Sequence, residues 1–226
     1  MVQLKMRNYI IRRVLSEEKI IEIKSILSEV EWYDGLKSTT GMTNDIKNNL
    51  ECTNDEINNL IMDCMDSDTM FYNYTVPKSS NTVSISKMDS GGYYKTHTDM
   101  FDLGDFSTTI FFSNPNEYEG GELCLLINDE EHKFKLNCGE AITYPTGTIH
   151  RVNEVKKGTR LVFVFWTKSW IKDDFIREIY TDIGNLNGML EKYDNIEDYK
   201  NVKTAYENPF FLSHQIKNKI SRKYMR

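Results

Sequence analysis

Cysteine and proline are both scarce, four of each in 226 residues. The cysteines at 52, 64, 124 and 138 lack CxxC spacing and the density of a disulfide scaffold, so they read as reduced thiols and favour a cytoplasmic setting. Long apolar runs are missing too. The longest, LVFVFW at 161–166, falls far short of the roughly 20 residues that span a bilayer. The opening MVQLKMRNYIIRRV has no apolar stretch or small-residue cleavage site of a secretory signal. Positive charge is not in excess: 28 basic against 34 acidic residues leave a net charge of -6, which makes nucleic acid or anionic lipid an unlikely partner. The exception is local. Lys217, Lys219, Arg222, Lys223 and Arg226 occur with no acid between them and read as a solvated helix end or tail. GxGxxG, GxxxxGK[ST] and GxSxG are all absent, so dinucleotide-fold, P-loop and serine-hydrolase readings lose their main support.

What is present suffices for a core. Hydrophobic residues make up 39% and aromatics 12%, and the length lies below the roughly 250–300 residues at which one core stops growing. A single domain over 1–226 is expected. Ser16 is placed to cap a helix over about 16–31, with Glu17 and Glu18 in its first turn and Ile20, Ile23, Leu27 and Val30 at helical spacing. Thr53 followed by Glu56 has the form of a capping box, ahead of a stripe of Ile57, Leu60, Ile61 and Cys64. From 81 to 169 the pattern changes to short β-branched and aromatic runs between turn signals. Eight strands are expected: NTVSISKM, YKTHTD, STTIFF, GELCLLI, HKFKL, EAITYP, TIHRV and TRLVFVFWT. With no helix between them they predict a barrel or double-sheet jelly roll, and Gly158 reads as a hairpin turn. After Trp170 a helical period returns through Ile171, Phe175, Ile179 and Ile183, predicting a segment packed outside the sheets. The fold class is therefore mainly β with flanking helices (α+β). It comprises a helical N-terminal part of about 1–75, a double-stranded β-helix (jelly roll, cupin-like) core of about 81–169, and a C-terminal helical part of about 170–226.

Two of the four histidines suggest chemistry. In extended chain His97 and Asp99 point to one face, and His150 from a neighbouring strand completes two imidazoles and one carboxylate. That set, with open positions opposite, suits non-haem Fe(II) oxygenases, and zinc fits it too. A surface or core histidine is the competing reading. His132 and His214 have no comparable partners and are assigned to packing or solvent. Arg160 opens the most hydrophobic strand, where a guanidinium needs an anion. Either a small dicarboxylate or a nearby Asp or Glu meets that need. Trp166, six residues on, shares its strand face and is a pocket wall or a core residue.

HTD, YEGGEL, GEAITYPTGTIHRV and KKGTRLVFVFW together resemble the Fe(II)- and 2-oxoglutarate-dependent dioxygenases of the prolyl 4-hydroxylase type, closely the bacterial PKHD-type hydroxylases. EWYDGLKSTTGMTNDIKNN at 31–49 is similar to the family's upstream segment, and WTKSWIKDD at 166–174 to its exit into the C-terminal helix. The likeness covers roughly residues 10–195. It implies that His97, Asp99 and His150 bind Fe(II), and that Arg160 holds the distal carboxylate of 2-oxoglutarate with Trp166 beside the cosubstrate. O2 would drive decarboxylation to succinate coupled to C–H hydroxylation, with ascorbate as reductant. The implied substrate is a prolyl residue in a protein or peptide, with a free amino acid or other small molecule as the variant. A non-catalytic cupin-like metal-binding module is the alternative from another class, and a nucleic-acid oxygenase is a third. Lys47, Asn48 and Asn49 match a segment over the active-site mouth, where they contact substrate or fix a loop. Met88 stands where relatives often carry tyrosine, and the loop after Asp99 is short. Both bear on substrate fit. Residues 35–50 and 100–106 are the candidate mobile loops.

Overall fold

The computed structural model describes residues 8–38, 45–100, 102–192 and 209–225. In chain order the first elements are β1 (Ile10–Arg13), α1 (Glu17–Leu27), β2 (Tyr33–Asp34), a 3-10 turn (Gly35–Ser38), β3 (Lys47–Asn48), β4 (Leu50–Cys52), α2 (Asp55–Asp66), α3 (Thr69–Thr75) and β5 (Pro77–Ser80). Next come β6 (Ser84–Met88), β7 (Tyr93–His97), β8 (Phe106–Phe111), β9 (Tyr118–Gly120), β10 (Leu123–Ile127), β11 (Glu130–Phe134), β12 (Glu140–Pro145), β13 (His150–Val152), β14 (Val155–Gly158) and β15 (Arg160–Ser169). Helices α4 (Asp174–Lys192) and α5 (Pro209–Tyr224) close the chain. All eight expected strands are present.

The larger sheet runs β1-β12-β8-β15-β6-β4-β2, with β5 also on β15; the smaller runs β11-β10-β13-β7-β3, and β14-β9 form a ribbon. Strands pair antiparallel throughout. The two sheets face each other in a jelly roll, burying Phe111, Leu125, Ile142, Val152 and Val162 between them. On the outer face of the larger sheet, Ile85, Ile110, Phe163 and Phe165 pack against Ile20 and Ile23 of α1, Ile57 and Ile61 of α2, and Phe71 of α3. Strand β8 lies centrally between β12 and β15, so all six of its residues are buried. Its polar residues are buried with the rest, and Thr108 bonds the Thr143 hydroxyl of β12 at 2.9 Å.

Ser16 caps α1 as expected, its side chain accepting from Lys19 N–H. The helix ends at Leu27, short of residue 31, though Val30 still packs on the core. The cap of α2 is Asn54, not Thr53: the Asn54 side chain accepts from Ile57 N–H at 3.0 Å. Asparagine outranks threonine as a cap, and Thr53 is left exposed. The N-terminal part also contributes four strands, β1 to β4, to the sheets, which the helical reading of 1–75 did not include. Gly158 is not a hairpin turn between β14 and β15, because β14 pairs with β9 while β15 pairs with β5, β6 and β8. Its φ of 78° and a backbone carbonyl 2.2 Å from where a Cβ would stand both require glycine there.

Helix α4 packs chiefly on α3 and α5 rather than on a sheet. Phe175, expected in its apolar stripe, is 58% exposed. The buried position is Arg177, whose guanidinium donates to the Tyr74 and Ile171 carbonyls and lies 4.5 Å from the Phe106 ring. Lys219, Arg222 and Lys223 are exposed on α5, while Lys217 lies over the Tyr180 ring; Arg226 falls outside the described residues, as do 39–44 and 101 of the two candidate loops and 193–195 of the resemblance. No helix among the described residues is long and apolar enough to cross a membrane.

Candidate metal centre

His97 ends β7 and His150 begins β13, and the antiparallel register sets them directly opposite each other. Their rings lie 4.2 Å apart. Asp99 follows two residues beyond the strand end, where the chain turns inward. Its Oδ1 stands 3.7 Å from His97 Nε2 and 3.8 Å from His150 Nε2, too far for hydrogen bonds. The three ligand atoms all lie within 4.8 Å of one another, the spacing of groups that share a third body.

Each group is oriented from behind. His97 Nδ1 donates to the Lys95 carbonyl at 2.8 Å and His150 Nδ1 to the Thr148 carbonyl at 2.9 Å. A carbonyl only accepts, so both protons sit on Nδ1 and both Nε2 lone pairs point inward. His97 Nε2 is buried with no hydrogen-bond partner. Asp99 Oδ2 accepts from Ser107 Oγ at 2.7 Å and Trp166 Nε1 at 2.8 Å, leaving Oδ1 for the centre. Burial first, then the neighbouring His150, lowers the His97 pKa to about 4, so its imidazole is neutral at pH 7, as a metal ligand must be. An orphaned Nε2 and a pre-aimed carboxylate fit a divalent cation such as Fe(II).

Arg160, at the start of β15 opposite Met88, is 2% exposed. The expected alternative, a salt bridge, is not found: among the described residues no carboxylate pairs with it, and its Nε is buried without a partner. Burial pushes its pKa down, against the opposing influence of Tyr118 and Tyr144, yet a guanidinium stays charged. Gly121, at φ 65°, makes room for it, since a Cβ there would stand 3.2 Å from Arg160 Cδ and 2.9 Å from the Tyr118 ring. One cavity of about 370 Å³ joins Arg160 to the triad. Leu123, Met88, Val152 and Val162 make part of its wall apolar.

All four expected site residues therefore line one space. Trp166 also lines it, but its only polar atom is committed to Asp99. His132 is half-buried with its ring 6.5 Å from Tyr9, and His214 is half-buried on α5; neither joins the centre. Sequence reasoning missed Ser107, Tyr94, whose ring stacks 3.8 Å from that of His97, and Glu51. No sequence signal pointed to Ser107, which becomes the register partner of Trp166 only once β8 and β15 pair. A larger outer groove of about 540 Å³ borders α3 and α4. Its guanidiniums, Arg12 and Arg177, are already paired with Asp68 and Asp174, and no cluster of potential metal ligands lies there among the described residues.

Residues 83–168 match the family model of the 2OG-Fe(II) oxygenase superfamily. A PKHD-type hydroxylase of Aliarcobacter butzleri is 31% identical, over 87% of this chain and 94% of the relative. One from Picosynechococcus sp. is 36% identical over 76% and 83%. Among solved structures, a Pseudomonas putida prolyl-4-hydroxylase superposes with a TM-score of 0.57 at 17% identity, covering 72% of this chain and 92% of that one. A prolyl hydroxylase from Trichoplax adhaerens, in complex with a hypoxia inducible factor oxygen degradation domain peptide fragment, gives 0.59 at 15%, covering 78% and 88%. These two likenesses establish the fold, and the closer relatives establish the family. The chain belongs to the 2OG-Fe(II) oxygenase superfamily, on its PKHD-type hydroxylase branch, and is an enzyme that works with Fe(II), 2-oxoglutarate and O2.

Proposed function

We propose that His97 Nε2, Asp99 Oδ1 and His150 Nε2 hold Fe(II), that Arg160 binds the distal carboxylate of 2-oxoglutarate, and that the enzyme hydroxylates a prolyl residue in a peptide or protein. The observation that carries this reading is the buried Arg160, with no carboxylate partner among the described residues, in the same cavity as a two-histidine, one-carboxylate face. A structural metal site has no use for such a clamp, which counts against the non-catalytic module. When bound, iron, 2-oxoglutarate and O2 supply the oxidising chemistry: the oxo acid is decarboxylated to succinate and one oxygen atom enters a C–H bond.

The protein's own residues bind, orient and exclude water. Arg160 grips a carboxylate through parallel N–H donors, a geometry lysine cannot reproduce. The Lys95 and Thr148 carbonyls fix the imidazole tautomers, while Trp166 and Ser107 hold one carboxylate oxygen and so aim the other. Burial, then the charge of Asp99, raises the Tyr144 pKa, keeping its phenol a hydrogen-bond donor in the cavity. The apolar walls keep water from the reacting carbon. No general base is required of the protein.

The names of the relatives and of the structural neighbours, one of them in complex with a peptide, support a peptidyl-proline substrate over a free amino acid. So does an opening bordered by the exposed cavity residues Ser38, Thr53, Thr98 and Met100. We take residues 1–226 as one catalytic unit, place it in the cytoplasm on its four free thiols, and assign ascorbate as reductant on the resemblance alone. The test adds Fe(II), then 2-oxoglutarate, to the purified protein without oxygen. A visible charge-transfer absorption is expected; tight metal binding without it would move the assignment to a binding module. With oxygen, proline-containing peptides are expected to accelerate succinate formation, and stimulation by free amino acids only would transfer the substrate to that class.

A further inference from the structure

The cavity has a second charged end. Exposed Ser38 and Thr53 border one side of its opening, and close to Ser38 lie Lys47 and Glu51, with side chains only 4% and 8% exposed. Lys47 stands on β3, in a register row with Tyr94, Val152 and Leu123 of the smaller sheet. Glu51 stands on β4, in a row with Tyr33, Ser86 and Val162 of the larger sheet. All eight residues line the cavity. Asn49 lies where the chain crosses from one sheet to the other, and the ion pair spans that crossing.

The pair's hydrogen-bonding capacity is only partly used. Lys47 Nζ donates to Glu51 Oε1 at 2.5 Å and to Ser38 Oγ at 2.9 Å. Asn49 Nδ2 donates to the same Oε1 at 3.0 Å and to Ser86 Oγ at 2.9 Å. Two donors thus converge on one carboxylate oxygen, and Oε2 has no hydrogen-bond partner among the described residues. One of the three ammonium hydrogens is spare as well. A buried ion pair adds little stability compared with an apolar contact of equal volume, and elsewhere the two sheets meet through Phe111, Leu125 and Val162. A strut alone does not account for placing two charges here.

We propose that Lys47, Glu51 and Asn49 form a recognition subsite for the main-chain unit of an aminoacyl group, Glu51 accepting its N–H and Lys47 donating to its carbonyl or carboxylate oxygen. An adjacent acceptor and donor match an N–H and C=O side by side. A prolyl residue has no main-chain N–H of its own, so in a prolyl peptide a neighbouring residue presents the pair, in N-acetyl-L-prolinamide the terminal carboxamide does, and in free L-proline the ring ammonium and the carboxylate do. A group held there lies beside the triad in the same cavity. This rests on the oxygenase reading of that cavity and names what its substrate presents to the protein. A peptide and a free amino acid share this chemistry.

The test loads the protein with Mn(II) and 2-oxoglutarate and measures, by NMR, the Mn(II)-induced relaxation of probe protons at millimolar N-acetyl-L-prolinamide, N-acetyl-L-alaninamide or free L-proline. Glu51→Gln, which keeps the shape, and Lys47→Met are each expected to weaken probe binding about tenfold or more, with Mn(II) and 2-oxoglutarate affinities within about twofold of the parent. Lys47→Glu with Glu51→Lys keeps an ion pair but exchanges donor and acceptor, so a folded swap is expected to lose the probes; a swap that binds them like the parent overturns the subsite. Equal probe binding by the single variants and the parent overturns it too, leaving a strut. Relaxation of the blocked amides points to a peptide source, and relaxation of L-proline alone to a free amino acid; either supports the subsite when the variants lose it. Binding of the alanine probe but not the proline probes removes the prolyl assignment and leaves the subsite standing. No relaxation of any probe, with 2-oxoglutarate bound, overturns the subsite and leaves the oxygenase reading intact. A parent protein that does not bind 2-oxoglutarate fails at the first measurement, and that failure belongs to the cofactor reading.

Discussion

The two faces of β15 carry opposite kinds of side chain. Phe163 and Phe165 point outward into an all-apolar layer beneath α1, α2 and α3, both at 0% exposure. Arg160, Val162, Val164 and Trp166 point inward and line the cavity. One strand therefore carries stability on its odd positions and chemistry on its even ones. The division is a consequence of the two-residue period of extended chain. The outer face can be filled to organic-crystal density, while the inner face carries a guanidinium with no carboxylate partner among the described residues and shares its cavity with the orphaned His97 Nε2 of β7, neither of which adds to folding.

Substitutions on either face should separate these roles, and the largest effect belongs to the inner one. Asp99→Ala removes the only anionic group of the triad. Turnover should vanish and Fe(II) affinity, measured by titration, should fall by more than the roughly 100-fold typical of groups one step removed from a metal; retained 2-oxoglutarate-dependent turnover would count against the triad. Phe163→Ala, on the outer face, should cost about 3–5 kcal/mol in denaturant unfolding, with metal binding preserved in the folded fraction. Arg160→Met reverses that pattern. Losing a buried charged contact costs about 2–5 kcal/mol of binding, so 2-oxoglutarate affinity should fall roughly 30-fold or more, while the melting temperature holds or rises because an unpaired buried cation is gone. Trp166→Phe should be mildest: Ser107 still holds Asp99 Oδ2, and metal affinity or turnover should drop about 10- to 100-fold. If outer-face changes alter cofactor affinity as much as inner-face ones, the division is wrong.

Much of this was legible in the sequence, for reasons that can be named. His97 and Asp99 were readable because a two-residue spacing means one face, and Arg160 because a cation opening LVFVFW has to find an anion. Ser16 was readable because capping is local. The strands β1 to β5 were not, since runs of two to four residues carry no measurable period and their partners lie far along the chain, as Arg13 opposite Glu140 does. Asn54 and Thr53 are neighbours of similar capping chemistry, and only the backbone decides between them. Trp166 was placed on the correct face, but its bond to Asp99 joins residues 67 positions apart, a distance over which pattern carries no information. The Lys47–Glu51 pair depends on two sheets meeting: Lys47 was singled out through the family resemblance alone, and Glu51 does not differ in sequence from an ordinary surface charge.

The ladder that separates Arg160 from Trp166 also acts as a rigid frame. Six residues of extended strand span about 20 Å at roughly 3.3 Å per residue, and both ends are pinned: one by its burial against Gly121 and Tyr118, the other by its bond to the Asp99 carboxylate. Neither end can slide without breaking the register with β6 and β8. If the guanidinium holds one end of an oxo diacid and the triad the other, the register fixes the two anchors relative to each other, although the diacid is several times shorter than the strand segment that carries them. On the proposed reading of the site, strand register sets the frame in which the cosubstrate would lie before any side chain touches it.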